Sequence, residues 1–255
     1  MTRFFSYGYL AVIYFLLYLP IVVLVLFSFN HASHSGVWHG GTIEWYRKLF
    51  HDTTLQVIAF HSIVVAVLAA SLATAIGMLG AFSLFKYQFF GKKWLNGLIF
   101  VMIVIPDLVQ AISLLILYHA AHISLGFITL LIAHITFCIP FAIMLIMGRL
   151  SGTNLFLFEA AKDLGATEQI VFSKIIVPLM KPGIIAAWLL SFTLSFDDVI
   201  ISSFVTGPTF QILPLYIFSE VKLGVTPEIN ALCTMILIIT VIAAFVSQIL
   251  LRRKS

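Results

Sequence analysis

Charged residues are scarce in this chain: Asp, Glu, Lys and Arg together make up only 9% of its 255 residues, whereas 62% are hydrophobic. The mean hydropathy of +1.13 lies far outside the range of water-soluble globular domains, which this composition therefore excludes. The sequence also lacks the phosphate-binding pattern G-x-x-x-x-G-K-[ST], so no ATP-hydrolysing site is predicted in it. Its two cysteines, Cys138 and Cys233, lie in apolar runs and are expected to pack without a disulfide.

Six apolar runs are each long enough to cross a bilayer of about 30 Å as a helix of roughly 20 residues. They cover residues 8–29, 57–85, 95–118, 123–147, 183–205 and 230–251. The first run is longer than the apolar region of a signal peptide, and no A-x-A-like site follows it, so we expect it to remain as a membrane helix. The sequence predicts an all-α integral membrane protein with six transmembrane helices, in which residues 1–255 form a single domain.

The distribution of lysine and arginine predicts the orientation, because positively charged loops stay on the cytoplasmic side of a membrane. With both termini in the cytoplasm, eleven of the 14 lysines and arginines are internal and three are external. The internal residues are Arg3, Lys86, Lys92, Lys93, Arg149, Lys162, Lys174, Lys181, Arg252, Arg253 and Lys254. The external residues are Arg47, Lys48 and Lys222. The net charge of +4 follows from this asymmetry and requires no nucleic-acid partner.

The longest predicted internal segment, residues 148–182, contains the polar stretch FEAAKDLGATEQIVFSKIIVPLMKP. This stretch predicts a water-facing helix from Glu159 to about Phe172, followed by Pro178 and Pro182 at the start of the fifth span. A surface with almost no side-chain bulk is formed by Ala160, Ala161, Gly165 and Ala166. Glycine inside a helix costs about 1 kcal/mol relative to alanine, so Gly165 requires a reason. The segment is either a solvated connector on the membrane surface or a docking helix for another protein.

The same stretch carries a spaced pattern: E-A-A, three residues, G, nine residues and I, followed by two residues and then a proline. Its members are Glu159, Ala160, Ala161, Gly165, Ile175 and Pro178. The pattern resembles the cytoplasmic signature of permease subunits of ABC importers, with Val177 in place of the leucine that precedes the proline. The resemblance implies the type I ABC importer permease fold. It also implies that these residues couple the chain to an ATPase, because the helix seats in a cleft of the ATP-hydrolysing subunit.

Further stretches extend the resemblance over nearly the whole chain: VIPDLVQAISLL, AHITFCIPF, LSFTLSFDDVIISSFVTGP and ILPLYIFSEVKLGVTPEINAL. They look like permeases of spermidine/putrescine importers, in particular the second of two non-identical permease subunits. The resemblance implies a multi-pass protein of the bacterial inner membrane, in contact with lipid. It implies as partners a second permease subunit, two copies of a cytoplasmic ATPase and a periplasmic polyamine-binding protein. ATP and Mg²⁺ are then bound by the ATPase subunits, and this chain is not an enzyme and has no cofactor of its own.

Three acidic residues lie within predicted spans, where ionisable groups are functional candidates by default: Asp107, Asp197 and Asp198. No basic residue lies deep in any span, so carboxylates that face a cavity suit a cationic substrate such as a polyamine. Successive helical residues point about 100° apart, so Asp197 and Asp198 cannot both face the cavity squarely, and Asp198 is preferred for the substrate pathway. Cation–π attraction for ammonium groups is predicted from nearby aromatic residues: Tyr118, Trp188 and Phe196.

Other interpretations stay open. Asp107 follows Pro106, which frees a backbone carbonyl, so a structural role at a helix kink is an alternative. Proton relays also use acids within the membrane, so a stand-alone proton- or ion-coupled carrier for a cationic solute is the alternative function. The first outer loop contains His31, His34, His39 and His51, whose spacing matches no zinc pattern. No metal site is predicted, and histidines in or near the spans, including His134, are expected to form structural hydrogen bonds.

Overall fold

The computed structural model describes residues 2–32, 37–153 and 156–252, so His34, Arg253 and Lys254 of the predictions above lie outside the described residues. The regular elements within these ranges are helical, with one isolated bridge between Asn30 and Gly41. They are α1 (Thr2–Phe27), α2 (Glu44–His51), α3 (Thr53–Lys86), α4 (Lys92–Val104), α5 (Asp107–Ala120), α6 (Phe127–Leu150), α7 (Phe156–Asp163), α8 (Glu168–Val171), α9 (Val177–Phe196), α10 (Ile200–Val205), α11 (Leu213–Leu223) and α12 (Pro227–Arg252). A π-helical turn, Phe172–Ile176, joins α8 to α9. The all-α prediction is confirmed.

Several of these helices are long and apolar enough to cross a membrane. Within the described ranges, four stretches meet this condition: Tyr7–Phe27, Thr53–Lys86, Phe127–Leu150 and Glu168–Phe196. The pair α4 and α5 adds a fifth if it is taken as one broken span, since the two helices are bent by 110° relative to each other. The apolar part of α12, Pro227–Ile242, is shorter. The count of six spans therefore stays a prediction.

The predicted third span, residues 95–118, is not one straight helix, which corrects the sequence interpretation. α4 ends at Val104, and α5 begins at Asp107 on the other side of Pro106. Proline has no N–H to continue the helical hydrogen bonds, and its ring clashes with the preceding turn. The kink that was considered as an alternative is present, and it is far sharper than the bend of a curved helix.

The predicted fifth span, residues 183–205, also differs in the structure. α9 begins earlier, and it carries Pro178 in its first turn, where a missing N–H is harmless. Pro182 lies inside the helix and does not mark its start. α9 then ends at Phe196, and α10 begins only at Ile200. The chain therefore has a second break, which contains the two adjacent aspartates.

The chain divides into two compact units: a larger one of residues 58–215 and a smaller one formed by the described residues of 1–57 and 216–255. In the smaller unit, α1 and α2 both pack against α12. Lys48 on α2 forms an ion pair of 2.8 Å with Glu228 on α12. The apolar window of α1 is not buried within the chain, as expected for a helix that faces lipid or another subunit.

The core of the larger unit is formed by α3, α6 and α9. A Cβ atom at Gly77 of α3 would lie 2.6 Å from the Cβ of Ala142 on α6, so only glycine lets these two helices approach so closely. Ala187 of α9 is fully buried in the same cluster as Ala142. Small residues thus bring three membrane-length helices together, and the two helix breaks lie beside this packed core.

Candidate functional site

A cavity of about 400 Å³ in the larger unit lies where the two helix breaks meet. It is lined by Asp107, Phe137, Leu194, Asp197, Asp198, Val199 and Ile200. Asp107 is the first residue of α5, directly after the first break, and the adjacent aspartates occupy the second break. Because α5 packs against α10, the structure brings the three acids singled out in the sequence to one cavity.

Gln110 braces the first break. The missing N–H of Pro106 leaves the carbonyl of Met102 without its usual helical partner. The side-chain amide of Gln110 donates to that carbonyl at 2.9 Å, and it lies 3.5 Å from the carbonyl of Ile105. Since the bend releases these groups and Gln110 satisfies them, it holds the end of α4 beside the first turn of α5. Asp107 therefore lines the cavity from a first turn of α5 that Gln110 holds against the end of α4.

The two acids of the second break have different environments. Asp198 is only 8% exposed, and its carboxylate accepts hydrogen bonds from the N–H of Ile201 at 3.2 Å and from the N–H and hydroxyl of Ser202, both at 2.8 Å. These bonds satisfy N–H groups in the first turn of α10, whose N-cap position is Val199. Asp197 is exposed, and among the described residues neither Asp197 nor Asp107 forms an ion pair. Asp197 therefore holds the more accessible carboxylate, and the preference for Asp198 in the substrate pathway stays a prediction.

A buried histidine joins both sides of the second break. His134 on α6 is fully buried, and its Nδ1 lies 2.7 Å from the hydroxyl of Ser195 in the last turn of α9. Its Nε2 lies 3.0 Å from the hydroxyl of Ser202 in the first turn of α10 and 3.4 Å from the carboxylate of Asp198. The expected structural hydrogen bonds of His134 are confirmed. Their partners across α9 and α10 were not predicted.

The aromatic residues predicted to surround the acids do not line the cavity. Tyr118 is 4% exposed, and its hydroxyl donates to the carbonyl of Thr129 at 3.0 Å, so it belongs to the core. Phe137 lines the cavity, but the sequence analysis missed it. A phenylalanine within an apolar run gives no signal of which surface it faces.

Trp188 and Phe196 instead belong to an aromatic ladder on α9. Phe192 stacks on both of them, with centroid separations of 5.5 Å to Trp188 and 5.6 Å to Phe196. The indole N–H of Trp188 also donates to the hydroxyl of Ser71 on α3, at 3.1 Å. The ladder ends beside Asp197. Phe192 was missed by the sequence analysis, although its spacing of four residues from each neighbour places all three on one helix face.

The internal segment contains two helices, which corrects the predicted single helix of residues 159–172. α7 ends before Gly165, whose φ is +84°. The N–H of Gly165 donates to the carbonyl of Lys162 at 2.8 Å, and the N–H of Ala166 donates to the carbonyl of Ala161 at 3.0 Å. These two bonds form a Schellman C-cap, which favours glycine because of its left-handed backbone. The reason for this glycine is thus a helix end and not a helix interior.

Ion pairs and apolar packing anchor the segment to the spans. The carboxylate of Glu168 pairs with Lys162 at 2.9 Å and with Lys86, the last residue of α3, at 3.0 Å. The segment also contributes Val171, Ile176 and Met180 to a buried cluster. The same cluster contains Leu84 of α3 and Leu150 of α6. These contacts join α8 to the ends of α3, α6 and α9.

The members of the spaced sequence pattern fall into two groups. The exposed members are Glu159, Ala160, Gly165 and Pro178. Ala161 and Ile175 are partly buried against the cluster just described. The exposed side also carries large apolar side chains: Phe156 at 71%, Leu157 at 52% and Leu164 at 90% exposure. An exposed apolar patch of this kind is typical of a protein–protein contact surface.

Comparison with known proteins assigns the family. The family model for the inner membrane component of binding-protein-dependent transport systems matches residues 73–253. The chain belongs to this family. Among similar permeases, the spermidine/putrescine transport system permease protein PotC of Escherichia coli K12 is 47% identical over 97% of this chain and 94% of its own length. PotC of Haemophilus influenzae is 46% identical over 100% of both chains. The putrescine transport system permease protein PotI of Escherichia coli K12 is 38% identical over 93% of this chain and 87% of its own.

Solved structures give the fold of this binding-protein-dependent permease. A chain of a bacterial ABC transporter that imports the acidic polysaccharide alginate matches with a TM-score of 0.77 and 18% identity, covering 97% of this chain and 95% of that chain. A chain of the MetNI methionine ABC transporter matches with a TM-score of 0.60 and 12% identity, covering 80% and 99%. These identities show the fold alone. The predicted ABC importer permease fold is confirmed.

Proposed function

We propose that this permease moves polyamines, spermidine or putrescine, from the periplasm to the cytoplasm as one subunit of an ATP-driven ABC importer. The observation that carries the proposal is the meeting of Asp107 and Asp197 at one cavity from two separate helix breaks, two carboxylates that form no ion pair within the described part of the chain. Relatives that are 38–47% identical are named as spermidine/putrescine or putrescine permeases, which supports the same substrate class.

The charge and size of the cavity fit a small flexible polycation. The residues that line it include three carboxylates and no lysine or arginine. Asp198 is already satisfied by the N–H groups and hydroxyl at the start of α10, which leaves Asp107 and Asp197 to pair with ammonium groups. A volume of about 400 Å³ is within the range of small-molecule sites.

The proposed orientation places both termini and the segment of residues 148–182 in the cytoplasm, in line with the positive-inside distribution of lysine and arginine. There α7 seats in a cleft of an ATPase subunit, with the exposed Glu159 and Ala160 and the apolar side chains of Phe156 and Leu164 at the contact. The complex contains a second, non-identical permease, two ATPase subunits that hold ATP and Mg²⁺, and a periplasmic binding protein that delivers the polyamine.

The mechanism follows from the connection between this docking surface and the cavity. Closure of the ATPase subunits moves α7, and the Gly165 turn and the Glu168 ion pairs carry the motion to α8. The π-helical turn leads without interruption into α9, which spans about 30 Å at 1.5 Å per residue and ends at the break that holds Asp197. Rotation or translation of α9 therefore changes the position of that carboxylate relative to Asp107. ATP binding and hydrolysis thus alternate the access of the cavity between the two sides.

The test is a reconstitution of the four-component complex in proteoliposomes, with ATP hydrolysis and polyamine uptake measured together. We expect the polyamine-loaded binding protein to stimulate hydrolysis and uptake, and we expect no uptake without the ATPase subunits. Uptake that persists without them would support the alternative, a stand-alone proton- or ion-coupled carrier. Stimulation by another solute but not by spermidine or putrescine would exclude the proposed substrate and retain the importer.

A further inference from the structure

Both ring nitrogens of His134 have hydrogen-bond partners. The hydroxyl of Ser202 donates its only proton to Asp198, so its oxygen accepts from Nε2–H of His134. The other ring nitrogen, Nδ1, pairs with the hydroxyl of Ser195 at 2.7 Å. Both ring nitrogens thus have partners in a fully buried position, where a polar group without partners would be strongly destabilising.

The same bonds fix the second helix break from both sides. Ser195 belongs to the last turn of α9, whereas Asp198 and Ser202 belong to the start of α10, and all three converge on one ring carried by α6. A further contact one turn along strengthens the α6–α9 side, since the thiol of Cys138 lies 3.5 Å from the carbonyl of Ser191. The break between α9 and α10 contains no proline. The side chains of Ser195, Asp198 and Ser202 provide hydrogen bonds where the backbone bonds of a continuous helix are interrupted.

Asp197 lies between these anchored positions. Its carboxylate forms no ion pair among the described residues, so its place in the cavity depends on the backbone on either side. That backbone is held at Ser195 and at Asp198, the two positions tied to His134. His134 does not line the cavity, and any effect it has on the substrate must pass through the break.

We propose that His134 is the positioning residue of the substrate cavity: it holds the α9–α10 break so that Asp197 faces Asp107. This inference rests on the proposed function, because it assigns His134 a part in seating the same polyamine. Asp198 then helps His134 to hold the α9–α10 break and does not bind the substrate.

The test compares His134→Phe with His134→Gln in the reconstituted four-component complex. Phenylalanine keeps the ring and removes both hydrogen bonds, whereas glutamine can donate to one serine and accept from the other. The readout is the amount of polyamine imported per ATP hydrolysed. We expect this ratio to fall about tenfold in His134→Phe, as loss of two buried hydrogen bonds would give, and to recover in part in His134→Gln. Ser113→Ala is the matched control, because the hydroxyl of Ser113 is exposed and bonds only within its own helix.

The outcomes separate positioning from a merely structural role. If hydrolysis and import fall in proportion and the ratio stays at the wild-type value, the histidine only stabilises the fold and the inference is wrong. An equal fall in Ser113→Ala also overturns it. If His134→Phe does not assemble, Ser195→Ala removes the bond to Nδ1 alone, and Ser202→Ala removes the bond to Nε2 together with the hydroxyl bond to Asp198; both variants are judged by the same ratio. A wild-type complex that imports no polyamine refutes the proposed function and this inference together, whereas import with an unchanged ratio in every variant refutes the inference alone.

Discussion

Replacement of Gly165 by alanine is predicted to weaken the binding of the ATPase subunits by about five- to thirtyfold. The added Cβ would meet no atom within 4 Å, so steric contact with neighbours contributes nothing. The penalty comes from the backbone, because φ is +84° and a Cβ in the left-handed region costs roughly 1–2 kcal/mol. The chain can relieve this strain only by giving up the two Schellman bonds, which unwinds the end of α7. If the ATPase binds only the wound form, the whole penalty lowers its affinity.

The assay is equilibrium binding of the ATPase subunit to the solubilised pair of permeases. Gly165→Asn is a graded control, since asparagine tolerates the left-handed region better than alanine does. Gly152→Ala is the matched neutral control, because a Cβ there also meets no atom within 4 Å and Gly152 does not have a positive φ. Wild-type affinity in Gly165→Ala, or an equal loss in Gly152→Ala, would refute the reasoning.

Three further predictions concern the cavity and its coupling. Gln110→Leu leaves the part-buried carbonyl of Met102 without its donor, which costs about 1 kcal/mol, so the variant should unfold at a lower temperature than wild type in a thermal melt. An unchanged unfolding temperature would contradict the stabilising role of Gln110. Asp198→Asn should also lower the unfolding temperature because charge-assisted bonds at α10 are lost, whereas Asp197→Asn should keep it and reduce polyamine import; the opposite pattern would restore Asp198 as the pathway residue. Glu168→Gln should reduce the ATP hydrolysis that the loaded binding protein stimulates at low salt, and it should have little effect at high salt, because salt screens exposed ion pairs. An equal loss of hydrolysis at both salt concentrations would exclude the ion pairs as its cause.

The three acids that line the cavity and the polar segment of residues 148–182 stand out in the sequence because each is chemically out of place. A carboxylate within an apolar run has few interpretations, so Asp107 and Asp197 were found without a structure. The angle between α4 and α5 was not predictable in the same way. Pro106 signals a kink, but the bend of 110° is set by the packing of α5 against α10, far along the chain.

The side chains that brace the two breaks were missed for a different reason. His134 is separated from Ser195 and Ser202 by 61 and 68 positions, and one sequence does not indicate which distant polar residues meet in a core. The interpretation of Gly165 failed locally, because a glycine inside a helix and a glycine at a helix end have the same neighbours in sequence. Only the backbone dihedral distinguishes the two.

Polyamine import by the reconstituted complex carrying Asp107→Asn tests the central claim most directly, with Asp107→Glu as the variant that keeps the charge. The account predicts that Asp107→Asn assembles and hydrolyses ATP when the loaded binding protein is added, yet loses polyamine import, and that Asp107→Glu retains a measurable part of it. Import at the wild-type rate by Asp107→Asn would contradict the claim that the carboxylates of this cavity carry the substrate.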